Sequence, residues 1–506
     1  SLILAPGAAM NVATHLPPSG STGLLPFGRA LLENGSEIDL AGMTGVTRSV
    51  ADYLYTFKVT ANDVADSPLA QGLIGQTVTI NLGLSGTRAD GETWVGSPLF
   101  ASSGAGYLSN ITQNIDQLLT KGGALTFGGG AVAFMDVVTA PGSKIDVSGG
   151  VIQYTGAFIN TTRLVGSDGR LYDIGSANPF IGNQIATGFA VDHPHWGVTE
   201  IYSNPLIGKG YYQPGYIDGV SAGAVAVTAI NPVLEGDIAG DIVTGLHQLV
   251  LGQAGPGTGG AQLTPDQLPN GAALTINFKL GGLSSPSGVV LDNSAPDVLG
   301  DGFTIGSALN LPSGIITYST AALSADGLGS ITIKGAQTLT MDEGASLSVL
   351  PGGSVTLNNV TSIDGTITAH GGKISIAGFT PTATTANGNP TAYVFPVAYE
   401  NLVLGPHAVL DVSGLWVNDS GAGGAAFQGT AFINGGSVSL STYALSYPVS
   451  TSSANGITTI NAADGTASIV LSAGSVIDVT SGGYIDTTGK LKTGSNGLPV
   501  GNGGNV

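Results

Sequence analysis

The chain has no cysteine, which excludes disulfide bridges and thiolate-bound metal. That absence fits a cytosolic protein, or a large secreted one threaded unfolded through a narrow pore. Charge is scarce, 9% of residues against about a quarter in ordinary globular proteins. Basic residues are scarcer still: 14 Lys and Arg face 33 Asp and Glu, for a net charge of −19, and they form no cluster. Such a surface repels nucleic acid and anionic membranes. No run reaches the roughly 18 apolar residues that a membrane-spanning helix needs. Collagen's Gly-X-Y period is missing too.

What the chain does have is apolar content and glycine. Hydrophobic residues make up 42% of it, enough to bury a core and to exclude disorder, and 81 of the 506 residues are Gly. One phrase recurs: "GSEIDLAG" at 35–42, "GSKIDVSGG" at 142–150, "HAVLDVSG" at 407–414 and "GSVIDVTSGG" at 474–483. Each is a turn, a short apolar–polar–apolar strand with an aspartate in it, then glycine.

The spacing is clearest in "SITIKGAQTLTMDEGASLSVLPGGSVTLNNVTSIDGTITAHGGKISIAGF", residues 330–379. Strand triplets begin at Ile331, Leu339, Leu347, Val355 and Ile363, eight residues apart, with Ile374 after a longer gap. Apolar residues at the first and third places mark a strand with one buried face. The joints "GG", "EGAS", "PGGS" and "NNVT" suit corners that turn without reversing, because Gly and Asn supply left-handed conformations. Three such strands make a coil of roughly 24 residues, within the range of solenoid repeats. The expected fold is all-β: a right-handed parallel β-helix of about three strands per coil, with extra-helical insertions and one short α-helix. Twelve to sixteen coils would stack, each the template for its neighbour.

Three segments break the beat. Residues 47–124 are expected as an insertion with a helix near 109–121, started by Ser109 or Asn110. That helix would lay Ile111, Ile115, Leu118 and Leu119 over a sheet face. Residues 176–218 gather prolines and aromatics into an extra-helical loop, and 253–272 is a Gly/Pro-rich loop. Coils are then expected over 1–46, 125–175 and 219–506. Ser stands first, with no signal peptide ahead of it; the expectation is a piece of a longer chain, or a processed product.

"NDVADSPL", "GQTVTI", "WVGSPL", "INTTRLVGSDGRLYDI", "HPHWGVTE" and "QPGYIDG", together with "GSKIDVSGG", resemble segments of filamentous-haemagglutinin-like exoproteins. These are large surface proteins that Gram-negative bacteria export by two-partner secretion. The resemblance is best over 35–225. It implies a long β-helical rod, exported through an outer-membrane pore and displayed at the cell surface. The family's amino-terminal secretion domain, with its Asn-Pro motifs, has no counterpart here, so the export route is implied for the parent chain.

A β-helix can also carry polysaccharide-cleaving carboxylates. Asp39, Asp146, Asp411 and Asp478 form a candidate row, read as a solvated face in separate, distant coils. "GVSAG" at 219–223 offers Ser221 as a nucleophile, but "AVAVTAI" after it alternates like a strand, not the helix an elbow needs. His193 and His195, with Asp192 or Glu200, lack a third metal ligand at a known spacing. Asp292, Asp297 and Asp301 lack a calcium-loop spacing, and His15, His247, His370 and His407 stand isolated. No catalytic residue, metal or cofactor is therefore assigned. The aromatic residues Trp196, Tyr202, Tyr211, Tyr212 and Tyr216 remain as the candidate ligand-binding set, since such side chains stack on sugars and anchor protein contacts.

The expected function is a non-enzymatic, secreted surface rod, a segment of an adhesin or extracellular filament. Its partners would be a host-cell, glycan or neighbouring-cell surface, with self-association into filaments as a further expectation. The alternative is a polysaccharide-active β-helix enzyme, a lyase, hydrolase or tailspike-like depolymerase.

Overall fold

The alternation in "SITIKG" is realised as a strand whose Ile331 and Ile333 are fully buried while Thr332 between them is half-buried. The computed structural model describes residues 2–13, 28–101, 103–128, 135–186, 189–193, 195–202, 210–251, 266–279, 288–300, 302–379, 382–386, 389–394, 401–421, 428–442, 446–454, 457–464 and 467–506. Among them the fold is all-β: strands dominate, no helix exceeds six residues, and none is long and apolar enough to cross a membrane. Most of the loop at 253–272 lies outside the described residues.

Three parallel ladders organise the main core. The first runs through Ala9–Val12, Ala124–Phe127, Ala224–Ala229, Ala272–Phe278, Leu328–Lys334, Ser354–Ile363, Lys373–Gly378 and Ser437–Ser441. Its register aligns one inward column, Met10, Leu125, Val225, Leu274, Ile331, Val355, Ile374 and Val438. The third ladder falls into two blocks, one with the column Ile3, Ile38, Ile145 and Ile238, the other with Leu347, Ile367, Leu410 and Ile477. Between them comes the helix Thr320–Ala325, capped by the Ser319 hydroxyl; Ser324 Oγ accepts the Ser348 N–H at 2.9 Å. The helix thus offers a side-chain acceptor where a paired strand would offer carbonyls.

The second ladder contains a reversal of chain order. Gly28–Leu32, Met135–Thr139 and Pro232–Leu234 pair in sequence. Gly288–Asp292 then pairs with Leu339–Met341 on one side and with the later strand Ile315–Ser319 on the other. The fully buried Tyr318 hydroxyl donates to the Pro232 carbonyl at 2.6 Å, tying that displaced strand to the preceding block. The ladder continues through Val360–Ile363, Leu402–Leu404 and Ile469–Leu471.

The eight-residue beat fails at one corner. Ser354–Ile363 is one continuous strand that serves the first ladder and then the second, so Ile363 ends a strand instead of starting one. Asn359 turns that corner at φ 59°, a conformation Asn tolerates better than most residues. Ile331 and Val355 are therefore neighbours 24 residues apart, but Val355 and Ile374 only 19. The longest unbroken run of paired strands is the eight of the first ladder, and the second counts nine in two blocks, among the described residues; both are fewer than twelve because the insertions take up so much chain.

The recurring "GG" has a steric cause. A Cβ on Gly353 would lie 2.2 Å from the Gly329 carbonyl oxygen; on Gly372, 2.1 Å from that of Gly353; on Gly436, 2.0 Å from that of Gly372. Gly504 in the tail joins the same column, 1.9 Å from Gly436 O. These backbones approach too closely for any side chain.

Two further cores lie outside the ladders. Leu54–Lys58 and Thr77–Asn81 form an antiparallel pair whose Phe57 and Ile80 pack with Leu99, Phe100, Leu164 and Ile174. Over the coils expected at 125–175, Val151–Thr155 still pairs in parallel with Val46–Ser49 but also antiparallel with Tyr216–Gly219, and Ala157–Ile159 and Arg163–Gly166 pair antiparallel; the first ladder resumes at Ala224. The helix expected near 109–121 is only Ile115–Leu118, started by Asn114 in a capping box with Gln117. Ile111 and Asn114 are extended, which breaks the longer helix. Ile115 and Leu118 are 71% and 61% exposed, so they seal nothing.

Candidate functional site

The aromatic set divides by where the strands put it. Tyr216 opens the strand Tyr216–Gly219, antiparallel to Val151–Thr155 and directly opposite Tyr154. Their rings stack at 4.9 Å, Tyr154 leans on Tyr53 at 5.6 Å, and the hydroxyls of Tyr53 and Tyr154 are 2.8 Å apart. His247 meets the Tyr216 ring edge-on at 4.5 Å. Tyr216 is 9% exposed; burial pushes its phenol, and still more that of Tyr53, well above the ordinary range. Tyr216 is a core residue.

Tyr211 and Tyr212 lie on the strand Tyr211–Gln213, antiparallel to Ala157–Ile159. Successive residues point to opposite faces. Tyr211 is the more enclosed of the two, and burial raises its phenol. Tyr212 is 57% exposed and meets Phe158, 74% exposed, edge to face at 5.5 Å. Gly156 makes room for this ring, since a Cβ there would lie 2.4 Å from the Tyr212 hydroxyl oxygen. Trp196, 77% exposed, sits in the turn of a separate hairpin, Phe189–His193 with Val198–Tyr202. Tyr202 ends that hairpin; its side chain lies outside the described residues. Phe158 and Tyr212 thus form an exposed aromatic contact among the described residues. Phe158 escaped sequence reasoning because "TGAFINTT" reads as an ordinary strand.

Beside the buried tyrosines lies an unusual carboxylate. Asp218, 6% exposed, is pushed up to about 7 by burial first and by nearby Asp266 second. Its Oδ1, Asp266 Oδ1 and Gln267 Oε1 are all buried without a hydrogen-bond partner. Gln248 closes the wall, accepting the N–H groups of Gly219 and Gly245 and donating to the carbonyls of Gly219 and Gln267. Nothing in the local sequence "YIDG" distinguishes this acid; its depth comes from the fold.

The other sequence candidates find local roles. Asp39, Asp146, Asp411 and Asp478 are not solvated residues in distant coils: Asp39 pairs with Asp146, and Asp411 with Asp478, on adjacent strands, all half-buried. Each accepts a backbone N–H two residues on, from Ala41, Ser148, Ser413 and Thr480 respectively. That is the Asx-turn, which ends the strand and makes the corner. Ser221 Oγ accepts the Asn270 N–H, and the strand Ala224–Ala229 follows, without a nucleophile elbow. Asp292 and Asp297 accept backbone N–H groups of their own turns, and Asp301 lies outside the described residues. His195 is exposed in the hairpin turn, and the His193 side chain is not among those described. His407, isolated in sequence, is brought beside Asp364 and Glu343.

No family model, curated protein or solved structure matches this chain.

Proposed function

We propose that the chain is a non-enzymatic segment of a secreted bacterial surface rod, a right-handed parallel β-helix that holds recognition elements away from the cell. The observation that carries this reading is the in-register inward column from Met10 to Val438, eight parallel strands of one ladder. At the usual strand spacing that column is about 34 Å long. It pairs backbone groups from end to end, a property suited to resisting force and proteolysis. The side bodies add what a bare rod lacks, an exposed aromatic edge at Phe158 and Tyr212 with Trp196 on a neighbouring hairpin. Its partner would be a glycan or protein of a host or neighbouring cell. Export through an outer-membrane pore rests on the resemblance alone.

The experiment has two arms. Electron microscopy of surface material labelled with an antibody against this segment should find rods or filaments; compact particles of the segment's own mass refute the rod. Adhesion to cells and glycan surfaces should fall when Phe158, Tyr212 and Trp196 are replaced by Ala while the fold is retained. Unchanged adhesion removes the aromatic edge from the reading.

One observation favours the alternative of a polysaccharide-active enzyme: Asp218, protonated near neutrality beside Asp266, has the character of a general acid. Cleavage of acidic polysaccharides that Asp218→Asn abolishes would replace the rod reading with that one.

A further inference from the structure

Three successive corners between the second and third ladders carry Glu343, Asp364 and His407. Each corner follows a strand whose last residue is fully buried, Met341, Ile363 and Leu404, and these three are register neighbours. The corners are thus held one above another by the ladder itself. Asp364 is fixed further: its Oδ1 accepts the His407 backbone N–H at 2.8 Å. Its carboxylate also fills the space a side chain at Gly405 would need, since a Cβ there would lie 2.2 Å from Oδ1. This leaves Asp364 Oδ2 facing His407 Nδ1.

His407 Nδ1 is a long hydrogen-bond and ion-pair partner of these carboxylates, at distances that also suit ligands of one ion. His407 Nδ1 lies 3.4 Å from Asp364 Oδ2 and 3.6 Å from Glu343 Oε1, and the three donor atoms lie within 4.8 Å of one another. A good N–H···O bond measures about 2.7–3.2 Å. The edge of a tetrahedron is about 1.63 times its centre-to-corner distance, so zinc bonds of about 2.0–2.2 Å put neighbouring ligands about 3.3–3.6 Å apart. One imidazole nitrogen at that separation from two carboxylate oxygens fits a metal ion between them.

We infer that Glu343, Asp364 and His407 form a zinc site at this edge. An imidazole and two carboxylates suit a borderline divalent ion, and three protein ligands leave a fourth position for water. The side chains of Glu343 and His407 are more than half exposed, so the ion would enter from solvent. Bound there, it ties three consecutive corners together, and because the unfolded chain does not bring these residues together it stabilises the folded state. Residues 64 positions apart in sequence, Glu343 and His407, become ligands of one ion only through the stacking.

The test is zinc titration of the untagged chain by calorimetry, with Co²⁺ as a spectroscopic substitute. The wild type should bind one zinc and, with cobalt, give the visible bands of a tetrahedral ion. His407→Ala should weaken zinc binding roughly tenfold or more, as should Asp364→Asn. A His193→Ala/His195→Ala double variant should bind as wild type does. Circular dichroism checks folding, and Glu343→Gln, at the most exposed of the three positions, repeats the test with least risk to the fold. No heat up to millimolar zinc, or full binding by folded His407→Ala, overturns the site. So does binding lost in the His193/His195 variant alone.

Discussion

The Asp218 carboxyl gives the stability of the antiparallel body a defined pH dependence. In the folded chain it keeps its proton to about 7, against 3.8 for the ordinary group, because burial disfavours its anion and Asp266 adds a like charge. Between those two pH values the folded state binds more protons than the unfolded one, so unfolding releases a proton and rising pH favours it. The stability present below pH 3.8 is therefore lost progressively up to about pH 7, and the curve levels above. At about 1.4 kcal/mol per pH unit the full loss is on the order of 4 kcal/mol. Asp218→Asn removes the titration and keeps a polar group beside the unpartnered Asp266 Oδ1 and Gln267 Oε1. Urea unfolding from pH 4.5 to 8, followed by tyrosine signals of the Tyr53–Tyr154–Tyr216 cluster, reads the effect. The variant should exceed wild type by only about 1 kcal/mol at pH 4.5 and by about 4 kcal/mol at pH 8. Asp326 and Glu235, also raised to about 7 chiefly by burial, titrate in the same window, so the difference between the two curves is the measure. Parallel curves would refute the reasoning.

Two further perturbations test the ladders. Gly372→Ala drives a Cβ to 2.1 Å from the Gly353 carbonyl oxygen and should cost about 3 kcal/mol or more, whereas Gly45→Ala, with no atom within 4 Å, should stay within about 0.5 kcal/mol. Hydrogen exchange of peptides spanning 354–378 separates the two, and equal protection in both variants would contradict the packed column. At the Asp411 corner, Ala should lose the bond to Ser413 N–H and cost about 1 kcal/mol, while Asn retains the acceptor and should be nearly neutral; a thermal melt that ranks Asn with Ala would remove the Asx-turn from the account.

The fold class was legible because inward positions must be apolar on every strand, and Ile331, Leu339, Leu347 and Val355 obey that rule without interruption. The recurring aspartate was legible as a motif but not as a turn. Its signal was the small residue two places on, as in "DVSGG", whose N–H the carboxylate accepts. Composition could not tell the exposed Tyr212 and Trp196 from Tyr216, which is buried against Tyr154 opposite it and His247 beside it. Glu343, Asp364 and His407 carried no sequence signal, because a fixed ligand spacing belongs to a loop or a helix and these three are joined by pairing between strands.

That distinction explains where counting residues stops working. Ile38 and Ile145 are register neighbours although more than a hundred residues separate them, and a whole antiparallel body lies between. Inserting chain at a corner adds only a slowly growing closure cost, so long as the strands on either side keep their inward residues and their close glycines. The repeat that the fold conserves is therefore one of contacts: an apolar residue stacked on an apolar residue, and a glycine on a glycine carbonyl. Residue spacing follows that repeat only where a corner is as short as the one before it. Between Ile331 and Val355 the first ladder takes 24 residues per step; the Asn359 corner then lets one strand turn without a loop, and the next step takes 19. A period search keyed to eight residues loses the register at that corner, while one keyed to the glycine two places before each inward residue keeps it, Gly329, Gly353, Gly372 and Gly436 ahead of Ile331, Val355, Ile374 and Val438.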